Sequence, residues 1–258
     1  MVLRSVRESF GRFAAIFMIS ALGVGFLAGL EAATPDMLLT GTRYFNSGRL
    51  ADVRLLSNIG LDDSDLRAVA SVEGIGALTT LKSADLLFDR ADGVTIGVTV
   101  NGIDRNEPLD SAVNALTLTA GRLPENENEC LIEAVVDTVR GVWIGDTITF
   151  SAQNDEDASD SFLPRTLTVV GEAANPYYMS LVREQTTVGT GRISEVIYVW
   201  NECFDTDYYT AFYMTVAGAD ETLSMSDDYD ALVQPVVDRL EDLAETQKYA
   251  RHDKVVGS

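Results

Sequence analysis

Eighteen consecutive positions without a charge, FAAIFMISALGVGFLAGL at residues 13–30, constrain this chain more than any other feature. As a helix they cover about 27 Å, and Ala32 and Ala33 extend the run toward the roughly 30 Å hydrocarbon core of a bilayer. Arg4, Arg7 and Arg12 precede the run, while Glu31 and Asp36 follow it. An excess of cations on the leading side puts the N-terminus in the cytoplasm and everything after about residue 34 outside. The rival is a cleaved secretory signal, whose apolar core is usually about 7 to 15 residues and ends at a small-x-small site that the GLEAA junction lacks. No Cys follows Leu27-Ala28-Gly29, so no lipoprotein anchor is indicated. The expectation is a retained helix in the cell membrane. On that helix Ala21, Gly25 and Gly29 fall four apart, a smooth face for another transmembrane helix, although small residues are common in spans in any case.

Behind the helix lie more than two hundred residues, enough for a large folded domain. The chain is 46% apolar and 23% charged, an ordinary globular mixture, with a formal charge of −21. Residues 1–34 carry three Arg against two Glu, so the remainder holds −22. Such a field repels phosphate backbones, which argues against nucleic-acid partners and leaves cationic ligands open. It also keeps an exposed domain soluble.

The residue inventory narrows the chemistry. His252 is the sole histidine, near the C-terminal end and without a neighbouring motif, which argues against Ser-His-Asp, Cys-His and His-rich metal sites and reads as a surface residue of the tail. No GxxxxGK[ST] is present, so this chain is not itself an ATP-binding engine. The acidic run QNDEDASDS at 153–161 lacks the Gly and terminal Glu of a calcium loop and reads as a solvated hairpin tip. Cys130 and Cys203 stand 73 positions apart with no CxxC spacing. A disulfide between them is compatible with an oxidising compartment, and so are two separate buried thiols. No catalytic, cofactor-binding or metal-ligating constellation emerges, and an enzyme is not expected.

Periodicity outlines the domain. DVRLLS at 52–57 alternates as a strand that Gly60 ends, and DDSDLRAVASV begins a helix capped by Asp62 or Asp63. Runs at 74–89 and 94–103 form a hairpin about Asp92-Gly93. Short strands follow at 141–150 and 165–173, then at 195–200 and 210–217. From about 226 to 250, Tyr229, Leu232, Val233, Val236, Val237, Leu240, Leu243 and Ala244 recur at helical spacing, with Pro235 predicting a kink or a start just before it.

Four blocks resemble the FtsX/MacB-type permeases of ABC transporters: RSVRESFGRFAAIFMISALGVGFLAG, DVRLLSNIGLDDSDLRAV, LTLTAGRLPENENECLIE with VWIGDTITF, and LTVVGEAANPYYMSLVREQTTVGTGRISEVIYV. In the third block Gly121 and Pro124 bound a tight turn where Arg122 can lie over carboxylates, and Glu129 is expected to open a helix. Gly145-Asp146 supplies a turn before TITF, Asn175-Pro176 ends a strand, and Gly189 and Gly191 make a loop between Arg183 and Arg192. The resemblance implies an α+β fold: a cytoplasmic lead-in and transmembrane helix (1–34), then a MacB-like extracytoplasmic core domain (35–258). Within it, an α/β subdomain (35–112 and 208–250) would carry an inserted, mostly β subdomain (113–207). The implied role is a permease subunit whose exterior domain couples ATP-driven helix motion to export of a substrate or to a partner. Its implied partners are a cytoplasmic ABC ATPase, further permease helices or a second permease, and membrane lipid. The alternative is a membrane-anchored signalling or scaffold domain that regulates a cell-wall hydrolase or senses antimicrobial peptides. A working permease of this type needs several spans, so the chain is expected to be a portion of a longer one.

Overall fold

The computed structural model describes residues 10–134, 141–179 and 185–256. The chain divides into two compact units, one ending at Arg43 and the other beginning at Tyr44. Helix α1 (Phe10–Ser47) contains a window of mean hydropathy 2.2 in which no residue is buried, so by length and composition it can cross a membrane. The expected helix end near residue 34 is not observed: α1 continues through Pro35. Proline removes one backbone donor, and the segment that follows, Asp36 to Ser47, forms regular helix nonetheless.

The second unit is built on two sheets. Strand β1 (Val53–Leu61), helix α2 (Asp63–Ala70) and strand β2 (Ile75–Leu81) open the chain of elements. Strand β10 (Tyr209–Val216) lies between β1 and β2, antiparallel to both, and helix α4 (Asp227–Val256) closes the unit. Asp62 caps α2 by accepting from Ser64 N and Asp65 N, and Asp65 reaches back to Asp62 N, a complete capping box. One face of this sheet, with Phe212, Met214 and Val216, packs on Val69 of α2 and on Val236 and Leu240 of α4. Helix α4 starts at Asp227 and runs through Pro235, so Pro235 does not begin it. Gly60 does not end β1 as expected: the strand continues to Leu61 with shifted pairing, and φ of +79° at Gly60 admits the bend.

The larger sheet comprises β3 (Ser83–Arg90), β4 (Thr95–Ile103), β5 (Thr117–Gly121), β6 (Glu129–Glu133), β7 (Thr147–Phe150), β8 (Thr166–Ala174) and β9 (Ile193–Trp200). Strands β8, β6, β9, β4, β3 and β7 neighbour one another in that order, and β7 also pairs with β8, so six strands close into a barrel. Strand β5 continues the edge of β8 beyond β7. Alternate residues fill the interior: Leu86 and Phe88, Val98 and Val100, Cys130 and Ile132, Leu167 and Val169, Ile197 and Val199. Period-two alternation thus defines a packed barrel core.

Three sequence readings are corrected at this level. The run at 74–89 is two strands in different sheets, parted at Lys82, and the β3–β4 hairpin belongs to the barrel rather than to the α/β part. The chain leaves the small sheet after Leu81 and returns at Ala211, which pairs with Leu81, so the insertion begins at residue 83 and not at 113. Lys82 Nζ donates to Thr206 O, tying the outgoing and returning strands together. Glu129 opens strand β6, not a helix. The acidic run at 153–161 connects two paired strands as expected, and none of its residues is buried. A short helix α3 (Glu156–Ser161), capped by Asp155, seats Phe162 inside the barrel against Phe88, Phe150 and Phe204. The fold class is α+β as read from the sequence: an apolar N-terminal helix, then an α/β part carrying a mostly β insertion.

Candidate functional site

Two structured features arise from the sequence motifs. In the first, Gly121 takes φ of +73°, and a Cβ there would lie 2.3 Å from Val170 O, so only glycine closes the turn. Arg122 then forks onto Glu129, with Nη1–Oε2 and Nη2–Oε1 both at 2.7 Å, while Glu125 N donates to Glu129 Oε2. These donors, Arg122 first, hold the Glu129 carboxyl at about 2, against 4.5 unperturbed. The clamp is structural. Because the folded value is depressed, its contribution is complete above about pH 4.5 and is lost as pH falls toward 2. The Glu129→Gln variant should be less stable than the parent in urea unfolding at pH 7, and the difference should vanish near pH 2.

The second feature lies where the two sheets meet. The Asn175-Pro176 turn ends β8 as expected, and its single 3₁₀ turn presents Tyr177 and Tyr178. Pro176 is buried against Gly48, where a Cβ would stand 2.8 Å from Pro176 Cγ. Tyr177 meets Tyr213 of β10 at 5.5 Å between centroids, and the Arg54 guanidinium of β1 covers both rings at 5.5 and 5.9 Å. Arg54 also donates to the Tyr177 hydroxyl. On the barrel side, Asn101 Nδ2 donates to the Tyr178 hydroxyl at 3.0 Å, and Ser83 holds Asn101 Oδ1 at 2.8 Å. Beneath them the Tyr198 hydroxyl donates to Glu133 Oε2, and Asn175 N donates to Glu133 Oε1 at 3.1 Å. Burial, with the adjoining Glu133 carboxyl, pushes Tyr198 well above the usual phenol range, so it stays a donor.

This aromatic wall separates two openings. One is a groove of about 540 Å³ lined by Arg54, Asp85, Thr99, Gln185 and Tyr213 among others. The other is a cavity of about 90 Å³ whose wall includes Ile103, Leu109, Val113 and Leu116, with Asn101, Asp104, Glu107, Asn114 and Asn175 among its polar groups and Tyr177, Tyr178, Tyr198 and Tyr213 also in the wall. Residues 109–116 reach the cavity because Val113 N donates to Thr79 Oγ1, Asn114 N to Arg49 O and Ala115 N to Gly48 O. Burial, then the Asp104 charge, raises the Glu107 carboxyl, with Arg49 acting in the opposite sense.

Cys130 and Cys203 are free thiols, both fully buried in the barrel core. Burial pushes Cys203 to about 12 and Cys130 higher still, which leaves neither a nucleophile. Among the described residues no group of three or more His, Cys, Asp or Glu could hold a metal ion. The side chain of His252, Arg183 and residues 135–140 lie outside the described residues. The Gly145-Asp146 turn forms as expected, with Trp143 N donating to Asp146 Oδ2 at 2.9 Å. Gly189 and Gly191 both take positive φ in a loop bridged by Gln185 and Arg192. Sequence reasoning placed the Asn175-Pro176 turn but missed Arg54, Tyr213, Asn114 and Glu133 as neighbours; the tandem tyrosines after the turn were the legible signal.

Neither a protein-family model nor a curated protein matches the chain. Among solved structures it is similar to the extracellular domain of the noncanonic ABC-type transporter YknZ from Gram-positive bacteria, at 12% identity and a TM-score of 0.38 over 69% of this chain and 80% of that one. A second is the periplasmic region of MacB from Actinobacillus actinomycetemcomitans, at 13% identity and a TM-score of 0.36, covering 73% of this chain and 75% of that chain. A third is described as a domain of a permease protein from Porphyromonas gingivalis, at 14% identity and a TM-score of 0.34, covering 75% and 77%.

Proposed function

We propose that the chain supplies a transmembrane helix and the exterior domain of an FtsX/MacB-type permease, in which motion driven by a cytoplasmic ABC ATPase reaches a substrate or partner outside the membrane. The observation that carries this reading is α1, a helix of 38 residues whose most apolar window has no buried residue. Leu22, Val24 and Phe26 are each more than two-thirds exposed, a surface that lipid or neighbouring permease helices would cover. The four sequence blocks support the family, and the arginines ahead of the apolar run support the orientation. The domain's part is binding and transmission rather than catalysis: its two thiols are buried, and Asp62, Asp65 and Glu129 are engaged in a helix cap and a turn.

Two measurements test this. The full permease should co-purify with an ATPase subunit from detergent extracts; its consistent absence would overturn the transport reading. A cysteine at exposed Asp157 (Asp157→Cys) should react with a membrane-impermeant maleimide in intact cells, since the native thiols are shielded. Reaction only after lysis would reverse the orientation.

A further inference from the structure

Helix α1 ends in a Schellman cap: Leu50 N donates to Phe45 O at 2.9 Å and Arg49 N to Asn46 O at 3.1 Å. Such a cap needs a left-handed residue, which is commonly glycine, yet Arg49 fills the place at φ of +49°. The groups of the cap that α1 itself leaves unpaired bond to one distant stretch of chain. Gly48 O accepts from Ala115 N at 2.9 Å and Arg49 O from Asn114 N at 2.8 Å, while Ala51 N donates to Asn114 Oδ1 at 2.9 Å. Asn114 is left-handed too, at φ of +58°, so two strained residues face each other across this clasp. With its Oδ1 taken by Ala51, the Asn114 amide keeps Nδ2 buried without a partner, a further cost of the closed arrangement.

The clasp decides what holds the segment between β4 and β5. Residues 104–116 form a compact loop that Leu116 N closes onto Leu109 O at 3.1 Å. Among the described residues four hydrogen bonds join this loop to the rest of the domain: the three of the clasp, and Val113 N to Thr79 Oγ1. Leu116 packs with Leu131, Val170, Ala173 and Val196 on the outer face of the barrel, and Leu109 lies against them. The last turn of α1, from Tyr44, belongs to the same compact unit as the loop.

We propose that residues 104–116 are a strap that the end of α1 holds shut, so that unwinding the cap at Arg49 frees Asn114 and Ala115 and lifts the strap from the barrel. Three of the strap's four outside bonds go to residues 48–51, so one local change removes them together. Opening also relaxes both left-handed residues and gives the orphan amide to water. Burial of Val113 and Leu116 keeps the strap closed at rest. Lifting it opens the cavity that Leu109, Val113 and Leu116 wall. The proposal deepens the permease reading, since it names where a movement of α1 enters the exterior domain, and it is tested without an ATPase.

Hydrogen–deuterium exchange of the full chain in detergent micelles, read by mass spectrometry, decides it. Arg49→Val puts a β-branched residue at a left-handed position and alters no strap side chain, yet exchange should rise about tenfold at 109–116 as well as at 45–50. Asn114→Ala should act in the other direction, raising exchange about tenfold at 45–50 as well as in the strap, because coupling between two sites is reciprocal. Arg49→Gly suits the left-handed cap and should exchange no faster than the parent in either segment, which separates cap geometry from the arginine charge. Peptides covering β4 and β10 should be unchanged in all three variants, the mark of a local opening. A response confined to the substituted segment, no response to either destabilising variant, or an equal rise throughout the domain would overturn the strap. Absence of a co-purifying ATPase would overturn the permease reading alone.

Discussion

Replacing Phe162 by Ala should lower the stability of the domain by about 3–5 kcal/mol, a loss typical of deleting a fully buried aromatic ring. Phe162 is completely buried and contacts three other rings: Phe88 at 6.1 Å, Phe204 at 5.5 Å and Phe150 at 6.2 Å between centroids. The backbone around it is equally committed, with Leu163 N donating to Cys203 O and Asp205 N to Ser161 O. Truncation would therefore open a void at the end of a closed barrel, whose hydrogen-bonded circuit restricts collapse around it. Leu163, next in sequence and 51% exposed, is the control. Its Ala variant should change stability by less than about 0.5 kcal/mol. Thermal unfolding of both variants in the same detergent checks the contrast. Equal, small effects would mean that residues 153–165 form a surface tip and that the barrel closes without them.

That contrast also marks where sequence reading ends. Strands β9 and β10 were legible because EVIYVW and TAFYMTVA concentrate β-branched and aromatic residues. Helix α2 was legible from the acids at its start, with Asp62 or Asp63 as the expected cap, and Asp62 is the one that caps it. Pairing was not legible. Nothing local says that β7 bonds to β3 as well as to its sequence neighbour β8, because the β3–β7 pairing joins segments more than fifty residues apart. Phe162 was hidden for the same reason: it ends a polar run, and only the partner rings make it core. Lys82 divides two strands with no Gly or Pro to mark the break, so β2 and β3 read as one. Glu129 illustrates a local ambiguity of a different kind. An acid at the start of an element suits a helix N-terminus, yet here Arg122, seven residues back, claims the carboxylate and a strand follows.

The candidate site was legible in its turn and opaque in its chemistry. Asn175-Pro176 announces a strand end, and Tyr177-Tyr178 follow it. What they face depends on β1 and β10, which come from chain positions 54 and 213. The orphan donor of Asn114 is further from reach, since it exists only because Ala51 N occupies the other end of the amide.

The second large effect is expected at Glu133, whose side chain is 3% exposed at the end of β6. Its carboxyl accepts from the Tyr198 hydroxyl and from Asn175 N, so it ties the barrel wall to the turn that carries Tyr177 and Tyr178. Tyr198→Phe should cost about 1–3 kcal/mol by withdrawing a donor from a buried carboxyl. Glu133→Ala should cost more, about 3 kcal/mol, because it leaves both a buried hydroxyl and a buried N–H unpaired. The double variant should fall short of the sum by at least about 1 kcal/mol, since the second change removes a group that the first has already orphaned. Urea unfolding of the three variants measures that coupling, and strict additivity would mean that the pair contributes no shared interaction.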